Sequence, residues 1–178
     1  MNTNKCIKTA LLTALIAIGA FIKIPMPLIP FTLQTFFVML AGITLGAEYG
    51  ALSVIIYMLL GLVGLPIFTG GGGIMYVVHP TFGYMIGFIA AAFVIGKIRG
   101  KKQIDDFKRL FMLCILGTVI IYAFGLSYLW ALKSLYVKTG ISAYTLFVSS
   151  FLVFVPADII KSALAAFVGS KLIKSKVV

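Results

Sequence analysis

The chain has 178 residues, 62% of them hydrophobic and 11% charged, with a mean hydropathy of +1.16. A soluble core of this size cannot bury so much apolar surface, which leaves an all-α polytopic protein of the lipid bilayer in a single domain. The net charge of +11 does not indicate nucleic acid, because the basic residues sit at the ends of apolar segments and form no patch interleaved with polar contacts.

The first predicted span covers about Lys5–Ile22. Lys5 and Lys8 ahead of an apolar stretch imitate a secretory signal, but further spans follow and an uncleaved first helix is the better reading. Ala10 and Ala14 make a small-xxx-small pair, suited either to packing within the chain or to docking of a partner subunit. Cys6 and Cys114 have no CxxC or metal-type spacing and read as small apolar residues.

Three prolines in PMPLIP (25–30) end that helix. The apolar run Phe31–Leu65, interrupted only by Glu48, is too long for one span and predicts two, with a turn near Gly46–Gly50. Each is short for a hydrocarbon core of roughly 30 Å. Gly42, Gly46 and Gly50 form a GxxxG ladder of the kind that packs helices. Gln34, near the start of the second span, fits an interhelical hydrogen bond or a ligand contact.

The stretch 64–84, with four consecutive glycines at 70–73, departs longest from helical pattern. It contains neither GxxxxGK[ST] nor a GxGxxG after a strand, so it is no nucleotide loop. At membrane depth such backbone is tolerable only where protein or a cavity covers it, which predicts a re-entrant or capping loop over a pocket. His79, the sole histidine, lacks partners at metal-ligand spacing and fits a hydrogen-bonded structural residue or a ligand contact.

A fourth span is expected over Thr81–Ile98, an aqueous loop over 97–109 and a fifth span over Leu110–Leu132. Trp130, Tyr128 and Tyr136 are expected as interface anchors. After a loop over Lys133–Gly140, a sixth span follows, bent at Pro156. Six spans put both termini on one side. Of the 15 Lys and Arg residues, Lys23, Lys133 and Lys138 fall on the opposite side, Lys161 lies in the membrane, and the rest accompany the termini. The positive-inside rule then makes both termini cytoplasmic and turns the proline and glycine loops outward.

Asp158 and Lys161 are the only formal charges in the last apolar stretch. A charge at bilayer depth costs roughly 2.5–3.5 kcal/mol on insertion scales, and at i and i+3 the two share one helix face. They either neutralise one another or serve a ligand that carries N–H donors and its own anion, within an apolar and aromatic lining. No nucleophile–base or metal signature accompanies them, so neither an enzyme nor a cofactor is expected. No clear internal repeat marks a self-sufficient secondary transporter.

IPFTLQTFFVMLAGITLG, followed by YMLLGLVGLPIFTGGGGI and HPTFGYMIGF, resembles the BioY family, the biotin-specific membrane (S) components of energy-coupling factor transporters. Asp158 and Lys161 match the family's aspartate–lysine pair. The chain departs from the Gly-Pro-Thr-Gly-Gly-Tyr pattern at His79 and Phe82, and its glycine stretch is one residue shorter than the common form. The resemblance implies a six-helix S-component fold that binds extracellular biotin and works with a transmembrane coupling subunit and two cytoplasmic ATPases. It implies contacts to biotin from Asp158, Lys161, Gln34, His79 and Tyr84, and coupling-subunit docking at Ala10 and Ala14. An S component for another small vitamin is the alternative.

Overall fold

A computed structural model describes residues 3–25, 29–132, 134 and 154–175. Tyr136, nearly all of the predicted 133–140 loop and the first part of the last apolar stretch lie outside the described residues. In chain order the elements are α1 (Thr3–Phe21), β1 (Lys23–Ile24), β2 (Phe31–Thr32), α2 (Gln34–Leu62), a 3-10 turn (Ile74–Val78), α3 (Phe82–Lys102), α4 (Phe107–Leu132) and α5 (Val155–Lys174). The strands form an antiparallel pair with Lys23 opposite Thr32 and Ile24 opposite Phe31. By length and composition α1, α2, α3 and α4 could each cross a membrane.

α2 is itself folded in two. Gly46 adopts φ 80°, ψ −172°, a region open essentially to glycine. In a straight helix residues 41 and 50 would stand about 13.5 Å apart. Here a Cβ on Gly50 would lie 2.9 Å from the Ala41 carbonyl oxygen, and Gln34 reaches Tyr57. The chain therefore reverses at Gly46, and its limbs run antiparallel. The turn falls at the edge of the predicted window, and the glycine ladder does serve packing. A Cβ on Gly42 would meet the Ala92 carbonyl at 2.7 Å, and one on Gly96 would sit 2.3 Å from the Gly46 carbonyl carbon.

α2 packs on α1, α3 and α5, and α4 packs on α3 and α5. The first limb is central, with Val38, Met39, Ala41 and Ile43 fully buried. Its all-round apolar character suits that place. Polarity is inverted relative to a soluble protein: Leu11, Ile18, Phe93, Val119, Ile160 and Phe167 point outward, while Gln34, Ser53, Asp158, Lys161 and Ser162 are inside.

Three expectations change. The predicted aqueous loop over 97–109 is mostly helix, since α3 runs to Lys102 and α4 starts at Phe107. Lysine stems let a helix extend past the apolar core while their ammonium groups reach water. Gln103 stops α3 in the left-handed region at φ 47°, and Asp106 accepts the Arg109 N–H to begin α4. Pro156 stands in the first turn of α5, where its missing N–H costs nothing, and so opens that helix instead of bending it. Tyr128 is no free interface anchor: its hydroxyl donates to the Val77 carbonyl and holds the glycine loop to α4. Trp130 is exposed, as an anchor should be.

Candidate functional site

The first turn of α5, the β1–β2 pair, α2, α3, α4 and the glycine loop line a partly open cavity of about 70 Å³. Its lining is largely aromatic and aliphatic, with polar groups at a few points, the composition of a ligand pocket.

Asp158 and Lys161 are 4% and 5% exposed. The Lys161 Nζ lies 2.5 Å from the Asp158 Oδ1, donates to the Thr32 carbonyl at 3.1 Å and sits 4.1 Å from the centre of the Phe31 ring. The Tyr122 hydroxyl donates to the other oxygen of Asp158. Asp158 also lies in the first turn of α5, where the helix dipole favours a carboxylate. Each charge is thus held by several partners, as burial demands. Phe31 stacks on Phe154 at 5.8 Å and 3°, forming an apolar wall beside the ammonium.

Gln34 makes the hydrogen bond between helical segments expected of a buried amide. Its Nε2 donates to the Tyr57 hydroxyl at 2.9 Å, and the residue lines the cavity. Tyr57 in turn donates to the Ile67 carbonyl at 3.2 Å, tying α2 to the glycine loop. Tyr84 lines the cavity with its ring against Gly125, where a Cβ would come within 2.4 Å. The hydroxyls of Tyr84 and Thr35 are buried with no hydrogen-bond partner among the described residues. Each such group costs about 1–3 kcal/mol, which a ligand oxygen in the cavity could offset.

The glycine loop covers the cavity as predicted, contributing Thr69, Tyr76 and Thr81. Gly71 and Gly73 take positive φ, the Gly73 N–H donates to the Gly61 carbonyl at 2.7 Å, and Lys23 donates to the Thr69 carbonyl. His79 is not in the cavity wall. It stands behind it, half-buried, with its ring stacked on Tyr76 at 4.5 Å and its Nδ1 2.8 Å from the Thr81 hydroxyl. Burial holds it below the usual imidazole range. Among the described residues no group of His, Cys, Asp and Glu could hold a metal.

Sequence reasoning missed Tyr122, Tyr57, Tyr76, Thr81 and Phe31. The tyrosines at 57 and 122 did carry a signal: they fall deep inside apolar segments, away from the interfacial belts, where a hydroxyl needs a partner. The Thr32 carbonyl carried none.

Ala10 and Ala14 lie away from the cavity. Both are exposed on α1, where they line an apolar groove with Leu52, Ile56 and Leu60 of α2. Close packing inside the chain is therefore not their task.

An apolar exterior around an aromatic cavity and a buried ion pair defines a multi-pass membrane protein. The family model of the BioY family matches residues 1–176. A probable biotin transporter BioY of Lysinibacillus sphaericus is 42% identical over 173 residues, covering 97% of this chain and 88% of that one. The biotin transporter BioY of Thermotoga maritima is 42% identical over 175 residues, covering 98% of both. The crystal structure of the S-component for biotin from an ECF-type ABC transporter superposes with a TM-score of 0.85 at 32% identity, covering 98% of this chain and 95% of that one. The chain belongs to the BioY family, whose members are membrane transporter components and not enzymes, and it has the S-component fold.

Proposed function

We propose that this chain is the biotin-binding S component of an ECF-type uptake transporter, with Asp158 and Lys161 as the centre of its site. The observation that carries the reading is the buried pair, braced by Tyr122 and Thr32 and facing an aromatic cavity. Biotin offers ureido N–H donors to a carboxylate acceptor, a carboxylate to an ammonium, and an apolar bicycle to the Phe31 and Phe154 wall. Gln34 and Tyr84 complete the polar contacts, with Thr35 beside them. His79 acts through the wall and does not touch the ligand.

The reading includes six membrane passes with both termini cytoplasmic, supported by the reversal at Gly46 and the asymmetry of basic residues. It also assigns the groove around Ala10 and Ala14 to a transmembrane coupling subunit, which joins two cytoplasmic ATPases. The chain has no Walker motif, so hydrolysis falls to those partners. Equilibrium binding of biotin, thiamine, riboflavin and niacin to the detergent-purified chain tests this. Biotin alone should bind tightly, and Asp158→Asn and Lys161→Ala should each weaken it by about 10-fold or more, equivalent to ~1.4 kcal/mol. Preference for another vitamin, or unchanged affinity in both folded variants, refutes the assignment.

A further inference from the structure

We infer that His79 is a positioning residue that fixes the hydrogen-bond polarity of the loop-side wall of the cavity, making that wall an acceptor for ligand N–H or O–H groups. Four side chains form a continuous line. The Thr69 hydroxyl lies 2.8 Å from the Tyr76 hydroxyl, which lies 2.9 Å from the Thr81 hydroxyl, which lies 2.8 Å from the His79 Nδ1. The first three residues line the cavity, and the histidine closes the line from behind.

A row of hydroxyls alone has two equivalent directions, since each can donate or accept. The backbone breaks the tie. The Thr81 N–H also donates to the His79 Nδ1, at 3.3 Å. A proton on that nitrogen would face the Thr81 N–H head-on, so Nδ1 is the bare nitrogen and Nε2 carries the hydrogen. The Thr81 hydroxyl must then donate to His79, Tyr76 to Thr81 and Thr69 to Tyr76. All three hydroxyl protons are spent along the line, and only oxygen lone pairs remain for the cavity. With the other tautomer, or with His79 protonated, the Thr81 oxygen accepts from Nδ1–H and its own proton is released, so the line is free to run the other way and present the Thr69 proton to the ligand.

A ligand donor therefore meets a matched wall, and an anion meets a repelling one. This inference rests on the proposed biotin site, whose ureido N–H groups are donors of the required kind.

Protonation is opposed by burial of the ring and by the two donors converging on Nδ1. The other group facing His79 is the stacked Tyr76, and among the described residues no carboxylate pairs with it. Ligand binding that favours neutral His79 must weaken as pH falls through the pKa of the ring, which burial holds below the ordinary imidazole value of about 6.5.

Because His79 is the only histidine, imidazole ¹⁵N spectra of the histidine-labelled chain, freed of any histidine tag, read its tautomer without a ligand. The Nε2–H form is expected at pH 8, and finding the Nδ1–H form overturns the inference whatever the chain binds. With biotin as the probe, His79→Phe keeps the stacking but removes the acceptor and should weaken binding roughly 2- to 10-fold, the range of one neutral hydrogen bond. His79→Asn restores an acceptor and should bind like the parent at pH 8. The parent should lose affinity relative to His79→Asn between pH 8 and about 4.5, the range that covers a lowered imidazole pKa, a comparison in which titration elsewhere cancels. Equal affinity and equal pH profiles for parent and both variants overturn the positioning role while leaving the biotin reading intact. Failure of every form to bind biotin overturns the biotin reading instead, and the tautomer then decides the wall's polarity alone.

Discussion

Replacing Lys161 by methionine keeps much of the side-chain volume and deletes the charge, separating what the ion pair does for folding from what it does for binding. The lysine is 5% exposed and holds three partners: the Asp158 carboxylate, the Thr32 carbonyl and the Phe31 ring. Its loss leaves Asp158 buried with only Tyr122 and the helix dipole. Breaking a buried pair from one side costs about 3–5 kcal/mol. In a chain of this length each kcal/mol moves the unfolding midpoint by about 2–4 °C, so Lys161→Met should unfold roughly 6–20 °C lower in detergent. Removing both charges, in Asp158→Leu with Lys161→Met, leaves no stranded ion and should recover most of that loss. Biotin binding should be lost in both. Thermal unfolding and equilibrium binding on parent, single and double variants complete the cycle. A single variant as stable as the parent, or a double variant no more stable than the single, would refute the view that these charges serve the ligand at the expense of the fold.

Tyr122→Phe strips one donor from Asp158 and should cost about 1.5–3 kcal/mol of stability, the worth of a hydrogen bond to a charged group, as read by thermal unfolding. Gly46→Ala meets nothing within 4 Å, so its cost should be the backbone penalty alone, about 1–3 kcal/mol. Gly96→Ala drives a methyl into the Gly46 backbone and should be the more damaging of the two in the same assay. Ala14→Trp, on an exposed position far from the cavity, should leave biotin affinity unchanged and abolish uptake in vesicles carrying the coupling subunit and ATPases.

Hydropathy located the helices well because the membrane imposes one rule on each stretch. α1 and α3 begin within two residues of expectation, and the two-limbed α2 reverses at the first glycine of the predicted window. Ends set by water-exposed chemistry were harder to read: lysine stems carry α3 past its apolar part, and Asp106 starts α4 early. In the site, the charges announced themselves by their cost, and Gln34 and Tyr84 stood in resemblance motifs. The second set of partners did not. Tyr122 meets Asp158 across 36 residues, and the Thr32 carbonyl is a backbone group that every residue possesses. Ala10 and Ala14 show their exposed face only once the helices around α1 are placed. His79 was visible as a singular residue, but its place behind Tyr76 follows from how the glycine loop folds back.

The hydrogen bond from Lys161 to Thr32 joins residues 129 apart in the chain. At about 5–20 residues per second of synthesis, roughly 6–26 s separate the appearance of the two partners. Throughout that interval the central limb of α2 has no α5 beside it. Its lining groups must be sheltered by lipid, by the insertion machinery or by non-native neighbours. The same contact that completes the candidate site is thus among the last steps of biogenesis, and a chain cut short before α5 would carry the glycine loop and neither charge of the buried pair.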